Sequence, residues 1–486
     1  MSLKKTQKKD MNFNIRKGLD LKLDGMAEEG IEMLAAPEYC HIRPSDFRWL
    51  RPQLLVAEGD TVDIGTPLFA DKADERIRIV SPAKGQIKEI VRGEKRVIEC
   101  ITIAVNRNAG QTMPVVFEDS EEVEALRSLL LRYGLWPCLR QRPFSVIPSP
   151  DAKPKAIFIS CFDTAPLAPH VPYLMQGKEE HFMAGLQILQ KAAGKGTPIH
   201  LCMKEGESLQ PNSTIQNIHI HHFTGPHPSG NVGPQIHRIT PMDKGESVWY
   251  IHPLDVARIG RLFQKHILGF ETIFALTGPI AHKPHYYSCI YGTDLTEVLQ
   301  EQTAAIDEHE VSTEKNAVDN ETAQTKNLPA ESARCRIISG NILTGKQIEN
   351  KPSLQFYDHQ LTLIPEGGER EILGWLLPGV KKWSFSHTFT AWLRKHKAFY
   401  FNTSQHGDHR NFVMTDIYEK VFPYNNIPPL ELLKACMTKD IDKMEELGIY
   451  EVDDEDFALC EVICPSKMPC QEIIMEGLRK VRGENN

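Results

Sequence analysis

The stretch VAEGDTVDIGTPLFADKADERIRIVSPAKGQIKEI (residues 56–90) decides how the first part of the chain folds. Its β-branched runs, IRIV and IKEI, are short and are cut by Gly and Pro turns. That is the pattern of brief strands in a small all-β domain, not of a helix. The runs continue through VIECITI (97–103), so the β texture spans residues 52–103.

The Gly-turn pair of VAEGDTVDIGTPLF, followed by Ser81-Pro82 and another Gly turn, resembles the flattened barrel-sandwich of biotinyl and lipoyl carrier domains. In those carriers a hairpin lysine takes the cofactor, and Asp71-Lys72-Ala73 offers one. The Ser-Pro pair stands farther from Lys72 than in the carriers, and the plain alternative is a soluble hairpin tip.

The 486 residues exceed what one hydrophobic core serves, so several domains are expected. A formal charge of −8 supplies no basic stripe for a phosphate backbone, which excludes nucleic acid as a partner. No run of about 18 apolar residues predicts a membrane span, and no apolar signal segment opens the sequence. The 11 cysteines, odd in number and irregular in spacing, do not form a secreted disulfide framework; a reducing cytoplasm is expected.

Farther along, SEEVEALRSLLLRYG (120–134) places Val123, Leu126, Leu129 and Leu130 on one helical face. AIFIS (156–160), the helix EHFMAGLQILQKAAGKG (180–196), PIHLCMK (198–204), IHIHHF (218–223) and the helix LDVARIGRLFQKHILG (254–269) then alternate. This order predicts an α/β domain with a partly parallel sheet. The acid-rich segment 301–332 lacks large apolar residues and reads as a surface insertion. Strand texture returns at 335–345 and 354–367, and the tail from 428 to 449 reads as helical, with Leu430, Leu433, Met437 and Ile441 on one stripe.

Several groups invite a chemical reading. His219, His221, His222, His227 and His237 cluster in sequence, but no Cys or acid stands at a zinc-like offset. The turn GPHPSGNVG (225–233) either lines a ligand pocket or turns the chain at a domain junction. YGLWPCLRQRPFS (133–145) gathers Trp136, Arg140, Arg142 and Phe144, a combination suited to an aromatic ring site or to an interdomain anchor. ALCEVICPSKMPC (458–470) contains the last step, C-x3-C-P, of a ferredoxin-type ligand run, with Phe457 and Asp454 at the two earlier positions. With half the ligands missing, no metal is expected here, and no nucleotide fingerprint occurs.

Taken in order, IRKGLDLKLDG (15–25), GDTVDIGTPLF with VSPAKGQI, RGEKRV (92–97), GLWPCLRQRPFS, FDTAPLAP, FTGPHPSGNVG, ALTGPIAHKP, RIISGNILTG, GWLLPG, YEKVFP and DDEDFALCEVICP resemble the NqrA subunits of the bacterial Na+-translocating NADH:quinone reductases. The resemblance implies a multidomain α/β and β protein. It consists of a basic tail (1–13), a barrel-sandwich hybrid domain (14–112), a Rossmann-like α/β domain (113–268), an SLBB-like β-grasp domain (269–350) carrying the 301–332 insertion, and a C-terminal β and helical region (351–486). It also implies a peripheral subunit on the cytoplasmic side of the bacterial inner membrane, beside the quinone-reducing membrane subunit. This chain would hold no cofactor and be inactive alone, while NADH, flavins, an iron–sulfur centre and quinone act through other subunits. Weakly quinone-proximal residues would be Trp136, Arg140, Arg142 and Phe144. The sequence is similar as well to the C subunit of Rnf-type ferredoxin:NAD reductases, which leaves, as the alternative, a flavin- or iron–sulfur-bearing subunit.

Overall fold

The computed structural model describes residues 11–194, 196–207, 215, 217–302, 335–367, 383–385, 399, 401–404 and 416–484. The acidic insertion beyond Gln302, most of the basic tail and the GWLLPG block lie outside these residues.

The opening stretch forms two small antiparallel sheets. One contains Tyr39–Ile42, Ile98–Val105, Gly85–Arg92 and Thr61–Val62; the other contains Pro52–Leu54, Pro67–Asp71 and Asp74–Val80. Val62, Leu68, Phe69, Ile79, Ile87, Ile101 and Ile103 of these strands are buried. Lys72 stands on the exposed tip between Asp71 and Asp74.

The α/β domain has a six-stranded sheet in the order Met11–Asn14, Ile218–Thr224, Ile199–Lys204, Ile157–Ser160, Val248–Tyr250, Arg140–Arg142. All pairings are parallel except the last, where Arg140–Arg142 runs antiparallel to Val248–Tyr250. The predicted helices are present as Val123–Arg132, Glu179–Ala193 and Pro253–Lys265. The last two cross closely because two glycines meet opposing backbone. A Cβ on Gly185 would lie 1.9 Å from the Val256 carbonyl oxygen, and one on Gly260 1.7 Å from that of His181.

A second six-stranded sheet runs Glu28–Met33, His285–Ile290, Glu271–Thr277, Gln360–Pro365, Cys335–Ser339, Lys346–Gln347. Phe274, Leu276, Leu361 and Leu363 of its central parallel pair are fully buried. The sheet therefore reaches past residue 350, because its centre needs Gln360–Pro365. It also borrows an edge strand from residues read as barrel-sandwich. Met11–Asn14 likewise extends the α/β sheet instead of trailing as a tail.

The C-terminal helices enclose a core of their own, including Tyr418, Phe422, Leu432, Leu433, Met444, Phe457, Ile474 and Leu478. The stripe predicted over 428–449 is not one helix. Lys439 is left-handed (φ 58°) and ends Pro429–Thr438, after which Asp440 accepts a hydrogen bond from the Lys443 amide (3.0 Å) and opens Ile441–Glu446. Met437 is exposed as a result.

Candidate functional site

The GLWPCLRQRPFS segment makes a single tight turn, Trp136–Cys138, and then the edge strand Arg140–Arg142. Trp136 is fully buried, meets Trp249 edge-on (centroids 5.5 Å apart, 82°) and donates its indole N–H to the Pro148 carbonyl at 2.9 Å. It is a core pillar with its polar atom satisfied. Phe144, half-buried, contacts Trp49 and Tyr450. Arg140 and Arg142, two residues apart on a strand, leave the sheet on one side and meet different surroundings.

Arg140 lines a cavity of about 200 Å³ at the carboxyl ends of strands Ile157–Ser160 and Val248–Tyr250, the place where open α/β sheets usually receive ligands. Its guanidinium carbon lies 4.6 Å from the Tyr250 ring centroid and 4.4 Å from that of Tyr357. Among the described residues no carboxylate or carbonyl bonds to that guanidinium, so its N–H donors remain available toward the cavity. Asp163, Asp358 and Glu455 supply carboxylates to the same walls. Burial pushes the Asp358 carboxyl up, and Ser339 donates to it at 2.6 Å.

His252 and His359 also line the cavity, their rings stacked at 3.9 Å. Burial lowers both pKa values, so both rings are neutral near pH 7. The bonds they make fix opposite tautomers. His252 Nδ1 accepts from the Leu254 amide at 3.3 Å, leaving its proton on Nε2, whereas His359 Nδ1 donates to the Ile273 carbonyl at 3.1 Å.

The turn at 225–233 both borders the cavity and packs on another part of the chain. Gly230 and Asn231 line the cavity, while the backbone packs on the N-terminal segment. Leu19 N–H donates to the His227 carbonyl (2.9 Å), and His227 N–H to Asp20 (2.8 Å). A Cβ on Gly225 (φ +122°) would lie 1.9 Å from the Ile15 carbonyl oxygen.

Arg142 is buried in the latch that holds the C-terminal helices. It pairs with Glu455, with Asp456 at 3.4 Å and with Asp453 at 3.5 Å; Arg48 reaches Asp453 at 2.5 Å and Asp454 at 2.6 Å. Ser145 also donates to Asp453. Asp453 and Asp456 form the reciprocal cap of the turn that follows. Burial opposes charge on Asp453, but Arg142 and Arg48 hold its pKa well below the carboxylate range. Burial, with nearby acids adding to it, pushes Asp454 and Asp456 up to about 7.

Between the ordinary value of 3.8 and about 7 the folded chain binds more protons at Asp454 and Asp456 than the unfolded chain does. These groups therefore make stability fall as pH rises through that window. Asp453 acts oppositely, contributing above its unfolded pKa and losing that contribution as pH drops through its lower folded value. Urea unfolding from pH 4 to pH 8 should show a decline that Asp456→Asn flattens, by about 1–2 kcal/mol across the window.

The remaining sequence candidates resolve into packing. Cys460, Cys464 and Cys470 are buried, and the Tyr418 hydroxyl meets the Cys464 sulfur at 2.9 Å. Burial pushes the Cys460 and Cys470 thiols up. At the two earlier ligand positions, Phe457 meets the Phe422 ring at a tilt (centroids 4.8 Å apart, 46°) and Asp454 pairs with Arg48. His219 and His221 join His200, unforeseen from sequence, in a ring group whose centroids are 5.1–6.5 Å apart. His227 meets Thr164 and His237 meets Glu451. Among the described residues no group of three or more His, Cys, Asp or Glu side chains is placed to hold a metal ion, and no helix is long and apolar enough to cross a membrane.

Residues 13–106 match the NqrA N-terminal barrel-sandwich hybrid domain, and residues 121–268 the NqrA second alpha/beta domain. The chain is 34% identical over 478 residues to the NqrA subunit of the Na(+)-translocating NADH-quinone reductase of Haemophilus influenzae (strain PittGG), covering 97% of this chain and 100% of that one. It is 33% identical to that of Neisseria meningitidis serogroup B (97% and 100% covered) and 32% identical to that of Rhodopirellula baltica (97% and 98% covered). Among solved structures, a NAD+-reducing [NiFe]-hydrogenase in the air-oxidized state aligns at TM-score 0.32 and 11% identity, over 69% of this chain and 56% of that one, too loosely to carry an argument. The chain belongs to the NqrA family, the NqrA subunits of the Na+-translocating NADH-quinone reductases.

Proposed function

We propose that the chain is a peripheral subunit of a sodium-pumping NADH:quinone oxidoreductase, on the cytoplasmic face of the bacterial inner membrane, and contributes there to quinone reduction coupled to Na+ export. The observation that carries this reading is the near-full-length similarity to proteins of that name. On this reading the isolated chain is inactive. NADH, flavins and the iron–sulfur centre belong to other subunits, and the chief partner is the quinone-reducing membrane subunit. The α/β domain is read as Rossmann-like, and the sheet around Glu271–Thr277 and Gln360–Pro365 as an SLBB-like β-grasp.

Of the residues proposed to lie near quinone, Arg140 is the one whose side chain faces the cavity; Trp136, Phe144 and Arg142 support its loop. One arginine opposite Asp163, Asp358 and Glu455 suits a neutral ring with a carbonyl oxygen. Nucleotide or flavin phosphates would meet the acidic side chains of these walls, which disfavours them.

Purification of the reductase through a tag on this chain, followed by quinone-reductase assays of membranes with and without it, tests the proposal. The other subunits should co-purify, and activity should depend on the chain. Iron or flavin bound stoichiometrically to the chain alone would overturn its cofactor-free part in favour of an Rnf-like electron carrier.

A further inference from the structure

Among the described residues the strand Glu28–Met33 is the outer edge of the second six-stranded sheet, paired in parallel with His285–Ile290, with a register shift between His285 and Tyr286. Leu34 N–H donates to the Ser288 carbonyl at 2.9 Å. In a parallel ladder alternate residues turn their backbone groups to the neighbour, so Glu32 shares the inward phase and Ile31 and Met33 turn theirs outward. The side chains at those two positions are apolar and exposed, Met33 at 79% and Ile31 at 42%, with Met26 at 59% just before them. Folded proteins rarely leave such an edge bare, because it is a template for another strand.

The charges on this edge select what would pair with it. Residues 24–38 contain Asp24, Glu28, Glu29, Glu32 and Glu38 and no Lys, Arg or His. Among the described residues none of Glu28, Glu29 and Glu32 is ion-paired, and the strand is exposed at five of its six positions. A second copy would bring a like-charged strand and be repelled. A segment with Lys or Arg at alternating positions would satisfy the outward N–H and C=O groups, cover Ile31 and Met33, and pair with the glutamates.

We infer that the Glu28–Met33 edge takes, as an added β-strand, an extended, basic segment of another subunit. The inference rests on the proposed membership in a multisubunit reductase, and the test separates the two. A photo-cross-linking amino acid is placed at Met33 in cells making the whole complex, with Val116, exposed at 88%, as the control position. The expected product joins position 33, but not 116, to another reductase subunit, with the adduct mapped by mass spectrometry to a Lys- or Arg-bearing stretch. A Glu28→Lys, Glu29→Lys, Glu32→Lys chain should recover about tenfold less of the other subunits, with the thermal unfolding of the isolated chain unmoved.

An adduct to a second copy, an adduct to a segment without basic residues, or no adduct at 33 would each overturn the inference and leave an edge blunted by its own glutamates. So would full co-purification by the triple variant. Failure of the unsubstituted chain to bring down any reductase subunit would instead overturn the functional reading.

Discussion

Replacing Arg142 by alanine is expected to cost the folded chain about 3–5 kcal/mol, the range for breaking a buried ion pair from one side. The reason is what stays behind. Asp453 and Asp456 are 1% and 2% exposed, and both face Arg142. Without the guanidinium, Asp453 keeps Arg48 and Ser145, while Asp456 loses its cation and retains the Asp453 amide at 2.8 Å. Urea denaturation should show a lower midpoint near pH 7 and a deficit that persists near pH 5, because Asp456, pushed up to about 7 even beside the guanidinium, is driven higher without it. Arg142→Lys restores the charge without the planar fork and should recover part of the loss. A deficit below about 1 kcal/mol would show that this cluster does not hold the C-terminal helices.

Arg140→Ala should leave stability within about 1 kcal/mol of the parent, because among the described residues this half-buried side chain makes ring contacts and a through-space attraction to Asp358 but no hydrogen bond or ion pair. In the assembled reductase it should raise the quinone KM about 10- to 100-fold, the worth of one charge-assisted hydrogen bond in a dry site. Arg140→Lys should recover little, since an ammonium does not fill the slot between the Tyr250 and Tyr357 rings. Trp136→Phe should do the reverse, lowering stability through the lost Pro148 bond while barely moving KM. An unchanged quinone KM in Arg140→Ala would remove Arg140 from the proposed contact.

The strand and helix pattern of the α/β domain is legible because its signals are local. Buried runs such as AIFIS and the amphipathic face around Leu126 and Leu130 declare themselves within one window. What stays hidden depends on distant partners. EEGIEM has too few apolar residues to read as a strand, and it becomes one because His285–Ile290 offers an open edge. The break at Lys439 turns on a non-glycine residue adopting a left-handed conformation, which propensity disfavours.

The same division holds for the cavity. GLWPCLRQRPFS reads as a place where aromatic and cationic groups gather, but sequence cannot say that Trp136 points into the core while Arg140 points out of it. Tyr250, His252 and Tyr357–His359 carry a fainter signal, polar residues at the ends of apolar strands, in VWYIHP and FYDHQ. It gains meaning only when two strands about 110 residues apart are brought to one opening.

The path of the first residues has a consequence for synthesis. Met11–Asn14 pairs with His221–Thr224, and Ile31–Met33 pairs with Tyr286–Ser288. A ribosome therefore releases two strands whose partners it makes roughly 210 and 255 residues later. At about 5–20 residues per second that delay is about 10–50 s. During it the barrel-sandwich, whose ladder pairings lie between residues 39 and 105, is free to form first. The leading segment then waits as unpaired chain and closes two sheets last, so nascent chains stalled before residue 221 should expose it to protease.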